Sequence, residues 1–381
     1  MKTKEQNVQL WIENRIRQEE IDKYTEVGED FIDDANIINK LKENKQPDSE
    51  EVEDILSKSL DIETLSLDET AKLLNVEDPE LLNKMKETAL KVKKKVYDNR
   101  IVTFAPLYMG NYCVNDCAYC GFRKSNAHAN RKILKLDEVR EESKVLAGDI
   151  GHKRLIVVYG EHPLTDAEYI KDTIQTIYDT KVKTRNGFAQ IRRANVNAAP
   201  LSIEELKMLH EVGIGTYQVF QETYHHDTYR KLHPKDTIKG NYKWRLYCMH
   251  RAMEAGVDDV GLGALFGLYD WKFEVMGLVA HSRELEDKFE IGAHTVSFPR
   301  LEPADGSPIT ENSKFKVSDE DFMKLMTVIR LAIPYTGMII TAREPRQIRR
   351  KSLSLGITQT DASTRIGIGA YSKKVNRQES E

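Results

Sequence analysis

From Arg100 onward, short apolar runs alternate with longer stretches whose apolar residues recur at helical spacing. Runs of the first kind mark buried strands, and stretches of the second kind mark amphipathic helices. On this reading residues 101–105 predict a strand and 136–146 a helix, then strand 154–159 and helix 166–178. Strand 190–197, helix 202–211, strand 216–220 and helix 241–255 follow. The pattern closes with strand 259–265, helix 271–288, strand 294–298, helix 318–333, strand 337–341 and helix 345–355. A short strand near Gly356 brings the strands to eight. Such alternation predicts an α/β chain with a parallel sheet and crossover helices. The number of units fits a (β/α)8 barrel of the TIM type better than an open dinucleotide fold.

The segment before it reads differently. Residues 1–97 are rich in Glu, Lys, Asp, Leu and Ile, with Gly28 their single glycine. Ile37, Ile38 and Leu41, and later Leu82, Met85, Leu90 and Val92, keep helical spacing. Ser66 or Asp68 starts one helix and Asp78 or Pro79 another. The charge runs, such as 91–95, read as solvated faces. The expected organisation is a helical extension over 1–97 without chemistry of its own, a barrel over 98–371 and a polar tail over 372–381.

Bulk properties narrow the function classes. With 57 basic and 61 acidic residues the net charge is -4, which gives no general affinity for nucleic acid. Mean hydropathy is -0.54, and no apolar run approaches the ~20 residues of a membrane span. The start, Met1-Lys-Thr-Lys-Glu, lacks the apolar segment of a secretion signal. A cytoplasmic, reducing location is expected.

Three of the four cysteines fall within eight residues, as Cys113-Val-Asn-Asp-Cys117-Ala-Tyr-Cys120. Thiolates so placed can hold three irons of a 4Fe-4S cluster, leaving the fourth iron open to a small molecule. Zinc, with His128 as a further ligand, is the competing reading. It lacks the second Cys pair that structural zinc sites usually carry. A disulfide scaffold is unnecessary for a chain this long. Cys248 reads as an ordinary buried cysteine in a helix.

In a barrel of this type functional groups collect at the C-terminal strand ends. Those ends carry Tyr159-Gly160-Glu161, Asn195-Val-Asn197, Phe220-Gln-Glu222-Thr-Tyr224, the glycine-rich run from Val260 through Gly261 and Gly263 to Asp270, and Thr341-Ala-Arg343-Glu344. Asn195 and Glu222 suit ribose hydroxyls or an amino acid, with loop capping as the alternative. Arg343, at a helix opening, suits a carboxylate. The glycine-rich run lacks the spacing of a dinucleotide fingerprint.

The cysteine spacing, with Phe104-Ala-Pro-Leu-Tyr108, Gly267-Leu-Tyr-Asp270, Pro299-Arg-Leu301 and Arg343-Glu344, resembles the radical S-adenosylmethionine enzymes. Ile191-Arg-Arg-Ala-Asn-Val-Asn197 and Arg251-Ala-Met-Glu-Ala-Gly256 make the chain similar to their aromatic amino-acid lyases, above all the tyrosine lyases of FeFe-hydrogenase maturation. The resemblance implies a 4Fe-4S cluster on Cys113, Cys117 and Cys120, with S-adenosylmethionine beside Tyr119. Gly160 and Glu161 would meet its amino group, Asn195 and Glu222 its ribose or amino group, and Gly261 and Gly263 its adenine. Arg343 and Tyr108 would line the amino-acid pocket. A 5′-deoxyadenosyl radical would fragment the substrate, tyrosine giving p-cresol and dehydroglycine. A flavodoxin or ferredoxin would supply the electron, under anaerobic conditions.

The resemblance is incomplete in three places. The hydrogenase-maturing relatives carry a C-terminal second-cluster domain with further cysteines, and this chain has none after Cys248, so a truncation is open. Glu302 replaces an arginine in Pro-Arg-Leu-Arg-Pro, and Asp361-Ala-Ser-Thr364 stands where a Ser-Ala-x-Ser phrase is expected. Charge changes in a dry pocket are costly unless matched. Glu302 and Asp361 therefore keep open a different amino acid or small molecule as substrate. A non-catalytic cluster carrier is the alternative of another class.

Overall fold

A computed structural model describes residues 4–185, 187–304 and 306–372 of the chain. Residues 373–381, most of the expected polar tail, lie outside them. Eight parallel strands form a closed barrel: β1 (Val102–Gly110), β2 (Arg154–Tyr159), β3 (Arg193–Asn197), β4 (Tyr217–Gln218), β5 (Val260–Gly263), β6 (Thr295–Ser297), β7 (Gly337–Ile340) and β8 (Gln359–Asp361). Each strand pairs with its neighbours in sequence, and β8 closes on β1 with Val102 opposite Gln359 and Phe104 opposite Asp361. The expected (β/α)8 fold is therefore present. The strand near Gly356 lies slightly later, because Gly356 takes a left-handed φ of 107° and ends the preceding turn.

Side-chain alternation sets the two faces. In β1, Phe104, Pro106 and Tyr108 face the barrel interior and line its cavity, while Ala105, Leu107 and Met109 pack against the surrounding helices. β1 is longer than expected because the strand runs on past Ala105 through Pro106-Leu-Tyr-Met-Gly110, an apolar stretch that is buried throughout.

Two helices depart from the pattern. The helix expected over 241–255 is two helices, Tyr242–Leu246 and Cys248–Glu254. At the break the Trp244 carbonyl accepts from Arg251 Nη2 at 2.6 Å. The helix expected to reach residue 146 continues from Lys144 as a π turn, Val145–Ile150, ended by left-handed Gly151. A small antiparallel hairpin, Val182–Thr184 with Gly187–Ala189, had no counterpart in the pattern.

Before β1 run six helices, from Lys4–Glu13 to Pro79–Tyr97, among the described residues. Asp48 and Ser66 each form a capping box, with Glu51 and Glu69 respectively. Asp78 caps the last helix, with Pro79 in its first turn. Apolar residues of these helices, such as Leu73, Met85 and Val92, join the core of the barrel helices in one cluster. Among the described residues no helix is long and apolar enough to cross a membrane.

Candidate active site

At the C-terminal ends of the strands lies a cavity of about 350 Å³. It brings together the three motif cysteines Cys113, Cys117 and Cys120 with Tyr108, Tyr119, Gly160, Glu161, Glu222, Glu302, Arg343 and Asp361. Asn195, Gly261 and Gly263 are not among its lining residues.

The register explains those three. Asn195 and Asn197 share a face of β3, but Asn195 stands two residues deeper, and Asn197 is the one at the cavity. Asn195 Oδ1 instead accepts from the Thr216 amide at 3.1 Å. The glycines make room for their neighbours. A Cβ on Gly261 would come within 2.6 Å of Gln218, and one on Gly263 would overlap the Phe220 ring. Gln218 and Phe220, lying over those glycines, reach the cavity.

The cysteine loop is fastened to the exit of β2. Val114 N–H donates to the Glu161 carbonyl at 2.8 Å, and Asn115 Nδ2 donates to Glu161 Oε2 at 2.5 Å. A Cβ on Gly160 would strike the Tyr112 carbonyl, so only glycine lets the loop lie this close. Burial pushes the thiols up, Cys117 to about 11. Bound iron reverses that balance, since a coordinating thiol is deprotonated outright. His128 is exposed and outside the cavity lining, away from the position a zinc reading requires. Among the described residues no group of three His, Cys, Asp or Glu could hold a single metal ion.

Glu161 is buried, and its Oε1 has no hydrogen-bond partner among the described residues. Burial pushes its carboxyl up. An acceptor aimed into a cavity without a donor suits an ammonium group. Three thiols around one space with such an acceptor at its edge fit a cluster carrying an amino-bearing ligand.

Glu222 occupies the exit of β4 at a φ of 72°, a left-handed conformation that costs a non-glycine residue energy. Its carboxylate accepts from Lys239 Nζ at 2.7 Å and lies 3.4 Å from Arg245 Nη2. Burial alone would raise its pKa, but these two cations outweigh burial and hold it below the usual range. Lys239 and Arg245 also line the cavity and were not singled out in the sequence. They lie on the connector between β4 and β5, away from the strand ends where functional groups were sought. Arg245 Nε donates to the Phe220 carbonyl at 2.5 Å, and the Lys239 amide donates to Asn115 Oδ1 at 2.8 Å.

Tyr119 is held by a second unforeseen residue. His233 Nδ1 lies 2.8 Å from the Tyr229 carbonyl, which can only accept, so that nitrogen carries the proton. Nε2 is then an acceptor, and the Tyr119 hydroxyl donates to it at 2.8 Å. Burial pushes His233 down to about 2, so it stays neutral.

On the far side the groups are more open. Arg343 and Glu302 are exposed residues at the rim. Asp361 is buried, and its two oxygens accept from the Ala342 amide at 2.5 Å and the Thr364 hydroxyl at 2.7 Å. Both oxygens thus have donors within the chain. Glu344, the neighbour of Arg343, pairs with Arg300 and fixes the β6 and β7 exits together.

A model of the radical SAM superfamily matches residues 107–276, and one of the Biotin and Thiamin Synthesis associated domain matches residues 297–381. The 2-iminoacetate synthase of Salmonella typhimurium is 30% identical over 319 residues, 83% of this chain and 80% of the relative. The crystal structure of HydG, a maturase of the [FeFe]-hydrogenase, superposes with a TM-score of 0.86 at 46% identity, covering 93% of this chain and 77% of that one. The HydG of Carboxydothermus hydrogenoformans gives 0.81 at 38% identity, over 96% and 80%.

Proposed function

This chain belongs to the radical SAM superfamily, and from that premise we propose that it is a lyase that fragments L-tyrosine into p-cresol and dehydroglycine. The observation that carries the reading is the shared cavity: three motif thiols, Glu161 and Arg343 line one space at the barrel mouth. When bound, the 4Fe-4S cluster and S-adenosylmethionine would supply radical chemistry directed at the substrate amino group.

The chain's own residues then have separable tasks. Cys113, Cys117 and Cys120 hold three irons. Glu161 Oε1 receives the amino group of the nucleotide. Tyr119, its hydroxyl tied to His233, offers a fixed ring face. Lys239 and Arg245 hold Glu222 charged and in place. Arg343 takes the carboxylate of tyrosine, and Tyr108 and Phe104 flank the ring. The buried walls exclude water and stray hydrogen donors. A flavodoxin- or ferredoxin-type partner supplies the electron. The name of the Salmonella relative is consistent with this product, because dehydroglycine is 2-iminoacetate.

A different amino acid is the second reading, and exposed Glu302 at the rim favours it. Asp361 favours it less, since its oxygens already have donors. A bare cluster carrier would leave the Glu222 network without a task. The test is anaerobic: reconstituted, reduced protein with S-adenosylmethionine, assayed for 5′-deoxyadenosine and p-cresol with and without tyrosine. A joint rise with tyrosine supports the reading. Deoxyadenosine without p-cresol rejects tyrosine, and neither product from an intact cluster rejects the lyase.

A further inference from the structure

The N-terminal segment was expected to carry no chemistry. Yet its residues 11–24 lie directly behind the cofactor side of the cavity. Val114, next to Cys113, is buried in a cluster with Ile21, Trp244 and Tyr247, against which Trp11, Ile12 and Ile16 pack. The exit of β3 forms the adjoining wall, where Asn197, Ala198 and Ala199 face the cavity.

That wall is fastened from outside, one backbone group after another. The Ala199 carbonyl accepts from the Tyr217 hydroxyl at 2.6 Å. The Pro200 carbonyl accepts from Arg15 Nη2 at 2.9 Å. The Leu201 carbonyl accepts from Arg251 Nε at 2.9 Å, and the Ile203 amide donates to Glu20 at 3.1 Å. Two of these four ties come from the N-terminal segment.

Arg15 is the stronger of them. It is 8% exposed, and its Nη1 binds both oxygens of Glu205, at 2.6 and 2.8 Å. Its Nε is buried with no partner among the described residues. Its charge also reaches Glu161, where it opposes the effect of burial more than any other group does. A buried guanidinium with a bidentate carboxylate is costly to rebuild elsewhere, so it fixes geometry rather than decorating a surface.

We propose that Arg15 is a positioning residue for the nucleotide side of the cavity: it locks the Asn197–Pro200 wall against the cysteine loop, so that the N-terminal segment sets the affinity for S-adenosylmethionine. The inference rests on the radical-enzyme reading above and gives the extension a part in it. Arg15 touches neither substrate nor reacting atoms. It acts through the wall.

The test compares full-length, reconstituted wild type with Arg15→Met and Arg15→Lys under anaerobic conditions. It measures the Kd for S-adenosylmethionine by equilibrium dialysis and the KM for tyrosine at saturating nucleotide. Arg15→Met is expected to weaken nucleotide binding about tenfold, the scale of one buried charge-assisted hydrogen bond, with the tyrosine KM unchanged. Arg15→Lys, which keeps the charge but not the planar fork that spans Glu205 and the Pro200 carbonyl, is expected to recover part of that loss. Hydrogen exchange over 197–203 should rise in Arg15→Met. Iron content and urea midpoint establish that the variants fold, and Glu205→Gln supplies a milder variant with the same expected direction. Equal affinity in folded Arg15→Met and wild type overturns the inference, as does a parallel loss of nucleotide and tyrosine affinity. A wild type that fails to bind the nucleotide instead overturns the reading beneath it.

Discussion

The two halves of the cavity are built differently. On the β1–β4 side Glu161 and Arg245 are buried and Glu222 and Lys239 are largely covered, and all four are bonded to one another or to the cysteine loop. On the β6–β8 side Arg343 and Glu302 are exposed at the rim, while Asp361 is buried with both carboxylate oxygens bonded within the chain. A network that exists without its ligand has its ordering cost met at folding, not at binding. The first half therefore suits a constant nucleotide, and the second suits a substrate that must enter and whose products must leave.

The largest expected effect, on both halves together, comes from the motif thiols. Cys117→Ser is expected to lose the cluster, read by iron content, and with it all deoxyadenosine formation. Breaking the buried network comes next. Arg245→Met leaves Glu222 with Lys239 as its one neighbouring cation, and removing one partner of a buried ion pair costs about 3–5 kcal/mol. A urea denaturation curve should show that loss, and nucleotide binding should fall with it. Near-neutral stability would mean that water already reaches Glu222.

On the open side the effect should be confined to substrate. Arg343→Met is expected to raise the tyrosine KM about 10- to 100-fold, the loss of a charge-assisted bond, while nucleotide affinity stays at its wild-type value. A fall in nucleotide affinity would erase the division between halves. Asp361→Asn sharpens it further. If Asp361 serves only the β7–β8 exit, the change costs about 1 kcal/mol of stability and leaves the tyrosine KM in place. A large KM change would make Asp361 a substrate contact.

The smallest effect lies outside the cavity, where the N-terminal segment meets the helix after Glu222. His226 lies 2.9 Å from Asp34 and 3.2 Å from Asp30. Burial opposes its charge, but those two carboxylates outweigh burial and lift it to about 9. A pKa raised above the unfolded value stabilises the fold fully below about pH 6.5. That contribution fades as pH rises through about 9. The difference in urea midpoint between wild type and His226→Gln should therefore shrink across this interval. A constant difference would contradict the ion pair.

Much of this was legible in the chain. The strands announced themselves because a barrel buries both faces, leaving apolar runs bounded by polar ends. The cysteine loop was legible because its three thiols are local in sequence. Register was harder. Asn195 and Asn197 look alike in the chain, and only the level at which β3 ends decides which reaches the cavity. Gly261 and Gly263 read as ligand contacts, whereas they make space for Gln218 and Phe220. Lys239, Arg245 and His233 sit on a connector with no strand-end signal. Arg15 joins Glu205 across 190 residues of sequence, a pairing that no local pattern encodes.

Hydrogen exchange on the reconstituted enzyme tests the division most directly, with S-adenosylmethionine added first and tyrosine second. The nucleotide alone should protect residues 111–120, 159–161 and 220–222. Tyrosine should then add protection over 299–302, 341–344 and 361–366, and only when the nucleotide is present. Protection of the same peptides by either ligand, or by tyrosine alone on the cysteine side, would contradict the account.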